Sequence, residues 1–215
     1  MVKQFLITRP NYDKETSYIH SFSKPIILVA KEDRTIHLEE LEGRKVTRKN
    51  FESSLPVSDL VFLNGHGDES SVWGHDDKSI LDKKNANLAE GKIIYALACE
   101  SLAQLGKITV KQEGAKAYVG YKKEFRWVVD PSRTSSPNKD RNAAPFRKVC
   151  FILGKSLLSG MPVGLAVKQI EKEYEKLIQN YGMSKDDFGD APLIGLALSW
   201  DLMSLGMEGD PKAAF

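Results

Sequence analysis

A histidine and a cysteine each follow a short apolar run, and the two side chains could act together on a carbonyl group. His66 lies in the turn Asn64-Gly65-His66-Gly67-Asp68 after the run 60–63, and Cys99 follows the run 93–97. An imidazole near a thiol can serve as the base that activates a nucleophile. If the two runs are neighbouring parallel strands, both residues lie at the edge where open α/β sheets bind ligands. The pattern therefore predicts a Cys99–His66 dyad.

Backbone groups beside these two residues could stabilise a negative charge. Gly65 and Gly67 let the chain turn tightly around His66 and let a ligand approach closely. The N–H groups of Gly67 and Cys99 could then form an oxyanion hole for an acyl-transfer intermediate. A helix that begins near residue 101 would further favour the thiolate of Cys99. No third residue that orients His66 is evident, so a dyad is the simpler prediction.

Each residue also has a plainer interpretation. A free cysteine at a strand end is often only a small buried side chain. His66 could be a structural histidine or, with Asp68 and His75, a ligand of a hydrolytic metal ion. The histidines have no recognisable ligand spacing and no Cys-x-x-Cys motif is present, so we expect neither a metal nor another cofactor.

The elements that must position these residues alternate along the chain. Apolar runs predict strands at 5–8, 25–30, 60–63, 93–97 and 115–120. Helical patterns lie at 13–22, 47–55, 163–181 and 192–202, with an irregular crossover at 69–91 and a last edge strand after residue 202. This alternation predicts an α/β fold around a mainly parallel sheet.

Composition limits the class of protein. The chain has 215 residues, of which 41% are hydrophobic and 28% are charged, and we expect a single globular domain over 1–215. Its net charge of +2 is dispersed, which argues against nucleic acid as a partner. It has neither a signal-peptide pattern nor an apolar run long enough to cross a bilayer, so we expect no membrane partner and a cytoplasmic location. Its two cysteines do not indicate a disulfide scaffold.

One polar segment interrupts the regular alternation. Residues 121–145 contain two prolines and little periodicity, and they follow the strand predicted next after Cys99. A loop of this length in a compact domain is usually functional or disordered. We expect it to open on the same sheet edge as Cys99 and to be mobile or cleaved.

Taken in order, these motifs resemble the caspase-like (clan CD) cysteine peptidases, closest to their gingipain-like and CHAT-domain branch. The resemblance runs from about residue 60 to the C-terminus, whereas residues 1–59 fit it only generically. It is carried by four stretches: the Gly-His-Gly turn, Ala98-Cys99, the strand Gly114-Ala115-Lys116-Ala117-Tyr118-Val119-Gly120-Tyr121, and the ending Leu205-Gly206-Met207-Glu208-Gly209-Asp210-Pro211. The start of a late helix, Gly164-Leu165-Ala166-Val167, also matches.

The resemblance implies a three-layer caspase-like fold, with helices on both faces of a mainly parallel sheet and a C-terminal edge strand. It implies a cysteine-type endopeptidase (a hydrolase) that works through an acyl-enzyme, with Cys99 as nucleophile, His66 as its histidine, and the N–H groups of Gly67 and Cys99 around the oxyanion. The resemblance also implies that this chemistry needs no metal. Its partners would be a protein or peptide substrate and an activating or regulatory protein.

One position departs from the family pattern. Several relatives that cleave after basic residues have an acidic residue two positions before the cysteine, where this chain has Leu97. Cleavage after Arg or Lys is therefore not implied. Asp68, Glu100 and Glu124 are alternative acidic candidates for a substrate pocket, and Trp73 could line it. A catalytically silent module of the same fold that binds partners is the alternative function.

Overall fold

The computed structural model describes residues 2–182 and 190–215. Its strands are β1 (Lys3–Arg9), β2 (Ile36–Glu42), β3 (Leu60–Asn64), β4 (Ser71–Trp73), β5 (Ser79–Asp82), β6 (Ile93–Leu97), β7 (Ala117–Tyr121) and β8 (Leu205–Gly209). Its helices are α1 (Lys14–Glu32), α2 (Arg48–Ser54), α3 (Leu105–Lys111), α4 (Ala144–Leu158), α5 (Val163–Gly182) and α6 (Ala191–Ser204).

Six of the strands form one central sheet. Its order is β2-β1-β3-β6-β7-β8, and every neighbouring pair is parallel except β7 and β8. Strands β4 and β5 form a separate antiparallel hairpin. The α/β class, the mainly parallel sheet and the C-terminal edge strand predicted from the sequence are therefore confirmed.

Helices cover both faces of the sheet because its inner strands are apolar on both sides. Strands β3, β6 and β7 are buried along their whole length, as expected for parallel strands between two helical layers. One face packs against α1, α4, α5 and α6, through side chains such as Phe62 and Val119. The other face packs against α2, α3 and the hairpin, through side chains such as Val61 and Tyr118.

The topology brings four strand ends to one edge. The parallel strands β1, β3, β6 and β7 are consecutive neighbours, so their carboxyl ends lie side by side. The chain places β2 on one side of β1 and β3 on the other, which makes the end of β1 a switch point of the sheet. Ligands of open α/β sheets bind in the crevice at such a point.

The strand predicted at residues 25–30 is wrong, because this run belongs to α1, with Pro25 inside the helix. A short apolar run cannot by itself be distinguished from a buried helix. Phe22, Ile26 and Ala30 lie four residues apart and are buried against the sheet, whereas Leu28 is largely exposed. That pattern is helical, and a strand covered on both faces would have buried Leu28 as well.

Two further elements differ from the sequence prediction. The second strand in the chain is β2, an edge strand in which apolar and polar residues alternate, so it lacks the apolar run used to find the others. The helix expected near residue 101 begins only at Leu105, because residues 99–104 form turns. In these turns the Ala103 amide donates to Glu100 O and the Leu105 amide donates to Glu69 O.

Residues 122–143 have no helix or strand beyond two short 3-10 turns, and they follow β7 directly. Two aromatic residues of this segment, Phe125 and Trp127, pack against the core. Its far end is tied down by Asp140, whose carboxylate accepts hydrogen bonds from the Tyr18 hydroxyl and the Asp130 amide. The position of the loop agrees with the sequence prediction, and its mobility stays a prediction.

Within the described part of the chain, no helix has both the length and the apolar character needed to cross a membrane.

Candidate active site at the sheet edge

A cavity of about 350 Å³ opens at the edge where β1, β3, β6 and β7 end. It is called the edge cavity below. His66 and Cys99 both line it, as do the residues next to them in their turns. Four residues that follow β7, Glu124 to Trp127, form one side of it and are called the cavity wall. The two residues singled out from the sequence therefore share one cavity.

His66 is held where β3 ends by a tightly fitted turn. A side-chain carbon at Gly65 would lie 2.3 Å from the carbonyl oxygen of Trp73, so only glycine fits there. The Trp73 amide in turn donates to the carbonyl of His66 at 2.9 Å. The hairpin β4–β5 thus fixes the backbone on both sides of the imidazole.

A carboxylate that sequence reasoning missed lies against His66. Oδ2 of Asp13 is 2.7 Å from Nε2 of His66. Asp13 is the N-cap of α1, and its Oδ1 accepts the Thr16 amide at 2.7 Å in a capping box. One oxygen therefore fixes the carboxylate to the helix, and the other faces the imidazole. Nδ1 of His66 has no hydrogen-bond partner among residues 2–182 and 190–215.

Hydrogen bonds make Asp13 a stable anion. Burial alone raises the pKa of its carboxyl, but hydrogen bonds from Thr16 and from His66 outweigh burial, and the pKa is lowered. An ionised carboxylate that accepts from Nε2 favours the tautomer in which Nδ1 is unprotonated. Nδ1 is thereby left to accept a proton.

Cys99 lies in the turn that follows β6, in direct contact with the His66 turn. A side-chain carbon at Gly67 would lie 3.1 Å from Cβ of Ala98 and 3.2 Å from the carbonyl oxygen of Cys99. The small residues at 67 and 98 therefore let the two turns pack closely. Glu100 has a φ of 56°, a conformation that costs energy outside glycine and is found at functional turns.

The surroundings of Cys99 keep it as a thiol. Burial is the main reason that the pKa of Cys99 is raised, and the carboxylates of Glu124, Glu100 and Asp201 raise it further. A hydrogen bond from the backbone of Phe125 acts in the opposite direction and lowers the pKa. The helix end expected to favour the thiolate is not beside Cys99, since α3 begins six residues later.

The two amides predicted to bind an oxyanion are available. In the parts of the chain that the structure describes, neither the Gly67 N–H nor the Cys99 N–H donates to a protein acceptor. Their neighbours do: the Asp68 amide donates to Ser71 O, and the Glu100 amide donates to Lys123 O. A bound oxyanion requires amide N–H groups that do not already donate to another acceptor.

The residues proposed for a substrate pocket are placed differently from one another. Glu100 lines the edge cavity, as does Glu124 of the cavity wall. Asp68 instead closes its own turn by accepting hydrogen bonds from both Ser70 and Ser71. Trp73 donates its indole N–H to the Ser71 hydroxyl, with its ring centroid 6.5 Å from that of His66. Neither Asp68 nor Trp73 is among the cavity-lining residues that the structure describes.

The metal-ligand set considered from the sequence is not brought together. His75 interacts with Asp76, and the Asp68 carboxylate is used in its turn, so these residues do not converge with His66 on one point. A different set does converge: Asp13, Glu15 and His66 each offer a ligand atom within 4.8 Å of the others. This set could hold a divalent cation, and metal must therefore be controlled in any assay.

The missed residues had a weak sequence signal. Asp13 begins a capping box, with Thr16 three residues later, just after β1. This signal predicts only where a helix begins. Asp13 lies beside His66 because β1 and β3 are neighbours in the sheet. The cavity wall had no motif and was recognisable only as the start of the long polar segment.

No protein-family model matches the chain, and no curated protein sequence is significantly similar to it.

Proposed function

We propose that this protein is a cysteine endopeptidase of caspase-like fold that hydrolyses peptide bonds through an acyl-enzyme. The observation that carries the proposal is that Cys99 and His66, which follow the neighbouring parallel strands β6 and β3, line one cavity, while Asp13, which follows the next strand β1, lies 2.7 Å from the imidazole. The parallel sheet, the helices on both faces and the antiparallel edge strand are compatible with that fold. The site carries the function, since a fold alone supports many activities.

In the proposed reaction, Cys99 is the nucleophile and His66 is the base. Nδ1 of His66 takes the thiol proton as the sulfur bonds to the carbonyl carbon of the substrate. The oxygen of the tetrahedral intermediate accepts hydrogen bonds from the Gly67 and Cys99 amides. The C–N bond then breaks, and the imidazolium gives its proton to the leaving amine. Water, deprotonated by His66, attacks the thioester, and the acid product leaves with the thiol restored.

Asp13 extends the predicted dyad to a triad. Its carboxylate, 2.7 Å from Nε2, orients the ring and stabilises the imidazolium that forms in the reaction. Because Oδ1 is fixed by the capping box, the carboxylate cannot turn away without breaking the start of α1. The helix start therefore serves as the support of the catalytic histidine.

Within the described residues, no hydrogen bond joins Cys99 to His66, and the pKa of the thiol is raised. Catalytic hydrogen bonds are often long in free enzymes and shorten when substrate binds. We propose that substrate in the edge cavity brings the thiol and Nδ1 together.

The charges of the edge cavity limit the substrate. Glu15, Glu100 and Glu124 line it, whereas Arg126, its lining arginine, is already paired with Glu124 at 2.8 Å. An acidic side chain would meet uncompensated like charge in this cavity. The preferred residue before the cut is therefore uncharged or basic.

The proposal is tested with a peptide library prepared from a digested proteome. The protein is incubated with the library, and new N-termini are identified by mass spectrometry with a chelator present. We expect cleavage by the wild type, none by Cys99→Ala, and depletion of Asp and Glu before the cut. Equal cleavage by wild type and Cys99→Ala would overturn the proposal. If the chelator abolishes cleavage, the activity is assigned to a metal ion at the metal-binding set instead.

A second candidate is a catalytically silent module that binds a partner. The raised pKa of Cys99 and the absence of a Cys99–His66 hydrogen bond in the described structure favour it. An electrophilic peptide mixture separates the two candidates without a known substrate. A peptidase is modified at Cys99 in a manner that requires His66, whereas a silent module is modified at the same rate with and without His66.

A further inference from the structure

Two adjacent residues of α6 hold the backbone of the cavity wall. The indole N–H of Trp200 donates to the carbonyl oxygen of Glu124 at 2.8 Å. Oδ1 of Asp201 accepts the amide of Arg126 at 2.9 Å. The guanidinium of Arg126 also stacks on the Trp200 ring, 4.0 Å from its centroid. Trp200 and Asp201 together are called the α6 clamp below.

The residue between the two clamped positions faces the nucleophile. Phe125 lies between Glu124 and Arg126 and lines the edge cavity together with Cys99, and the Glu100 amide beside Cys99 donates to Lys123 O at the start of the same segment at 3.1 Å. The backbone of Phe125 lowers the pKa of the Cys99 thiol by hydrogen bonding. Hydrogen bonds at both neighbours therefore fix the orientation of the peptide group that meets the sulfur. The clamp reaches Cys99 through the wall and does not itself line the cavity.

Asp201 is costly for the fold. Its side chain is completely buried, and Oδ2 has no hydrogen-bond partner within the described residues. Burial raises the pKa of this carboxyl well above its usual range. A buried polar atom without a partner destabilises a protein and calls for an explanation other than packing.

We propose that Asp201, with Trp200, is a positioning residue that holds the Phe125 amide against the sulfur of Cys99. The wall that it fixes is also the surface against which substrate lies. The inference rests on the proposed function for its meaning in catalysis. The control of Cys99 by α6 can be measured without substrate.

The test compares Asp201→Asn with Asp201→Ala. Both variants remove the carboxyl, so any change that comes from charge is common to them. Asn keeps an oxygen that can accept the Arg126 amide, and Ala does not. Ser199→Ala is the control, since Ser199 neighbours the clamp and its hydroxyl donates only within α6, to Gly195 O.

Two quantities are measured in each variant. One is the midpoint pH for alkylation of Cys99 by iodoacetamide, and the other is the hydrogen-exchange rate of the Arg126 amide. We expect Asp201→Ala to speed Arg126 exchange by about tenfold or more and to move the Cys99 midpoint upward by about half a unit or more, relative to Asp201→Asn. Asp201→Asn and Ser199→Ala should keep a protected Arg126 amide.

The outcome that overturns the inference is a faster Arg126 exchange in Asp201→Ala with the same Cys99 midpoint as in Asp201→Asn. If Asp201→Ala does not fold, Trp200→Phe releases the other end of the wall and keeps an aromatic ring under Arg126. An unchanged Cys99 midpoint in Trp200→Phe would then overturn it. A wild type that cleaves no peptide would refute the peptidase function and leave this comparison intact.

Discussion

Oδ2 of Asp13 lies 2.7 Å from Nε2 of His66, while Oδ1 of the same carboxylate caps α1. One side chain therefore links the start of a helix to the orientation of an imidazole. The link depends on sheet order, since Asp13 follows β1, His66 follows β3, and these strands are neighbours.

Removing the charge of Asp13 should impair catalysis and spare the fold. Asn caps helices as well as Asp does, so Asp13→Asn keeps the start of α1. The neutral side chain no longer stabilises an imidazolium, and we expect peptide cleavage at pH 7 to fall by about ten- to a hundredfold. The rates of peptide cleavage by wild type and Asp13→Asn at pH 7 measure this loss.

Asp33→Asn is the matched control for that variant. Asp33 also accepts hydrogen bonds from a threonine two residues on, but it lies at the far end of α1. An equal loss of cleavage in Asp33→Asn, or full cleavage by Asp13→Asn, would remove Asp13 from the mechanism.

The Asp13 carboxylate should also stabilise the fold in a pH-dependent manner. Its pKa is lowered in the folded protein, so its stabilising effect is complete above the unfolded pKa of about 3.9 and is lost as pH falls through the lower folded value. Urea unfolding from pH 7 to pH 2 should therefore show wild type and Asp13→Asn converging in acid. A difference that grows as the pH falls would contradict this assignment.

Gly65 should tolerate no side chain. A methyl group there would lie 2.3 Å from the carbonyl oxygen of Trp73, and we expect Gly65→Ala to lower the free energy of unfolding by about 2–3 kcal/mol and to displace His66. Gly195→Ala is its control, because its methyl group meets only Cβ of Tyr181 at 3.8 Å. Calorimetry that gave the two variants the same melting temperature would be inconsistent with the tight turn.

The two cysteines should differ in their alkylation by iodoacetamide. Burial raises the pKa of Cys150 to about 12, and it is fully buried inside the core, so it should react only on unfolding. Cys99 lines a cavity, and its raised pKa reflects burial and nearby carboxylates. Glu100→Gln removes one of these charges and should lower the alkylation midpoint of Cys99, whereas Glu39→Gln at the far sheet edge should not. A midpoint unchanged in Glu100→Gln would show that Glu100 does not act on the thiol.

The sequence carried enough information to place His66 and Cys99 at one edge. Uninterrupted apolar runs mark β3, β6 and β7 because both faces of these strands are buried, and the turns after them contain the two residues. The run at 25–30 misled the prediction because it is equally apolar and equally short. In the folded chain this run lies within α1, where Ile26 and Ala30 are buried and Leu28 is exposed.

The partners of these residues could not be predicted because they depend on tertiary contacts. Asp13 is remote from His66 in sequence, and Asp201 is more remote still from the Arg126 amide that it accepts. Neither belongs to a motif that names its partner. The order of strands in the sheet and the packing of α6 determine both contacts.

The most direct test of the central claim is the rate at which iodoacetamide modifies Cys99 at pH 7, in wild type and in His66→Ala. Peptide mass spectrometry reads both cysteines, so Cys150 reports any unfolding in the same sample. Because Cys99 is a thiol in the free protein and His66 takes its proton when an electrophile enters the edge cavity, the account predicts that loss of the imidazole slows its modification by about tenfold or more. Equal rates for Cys99 in the two proteins, with Cys150 protected in both, would contradict the account.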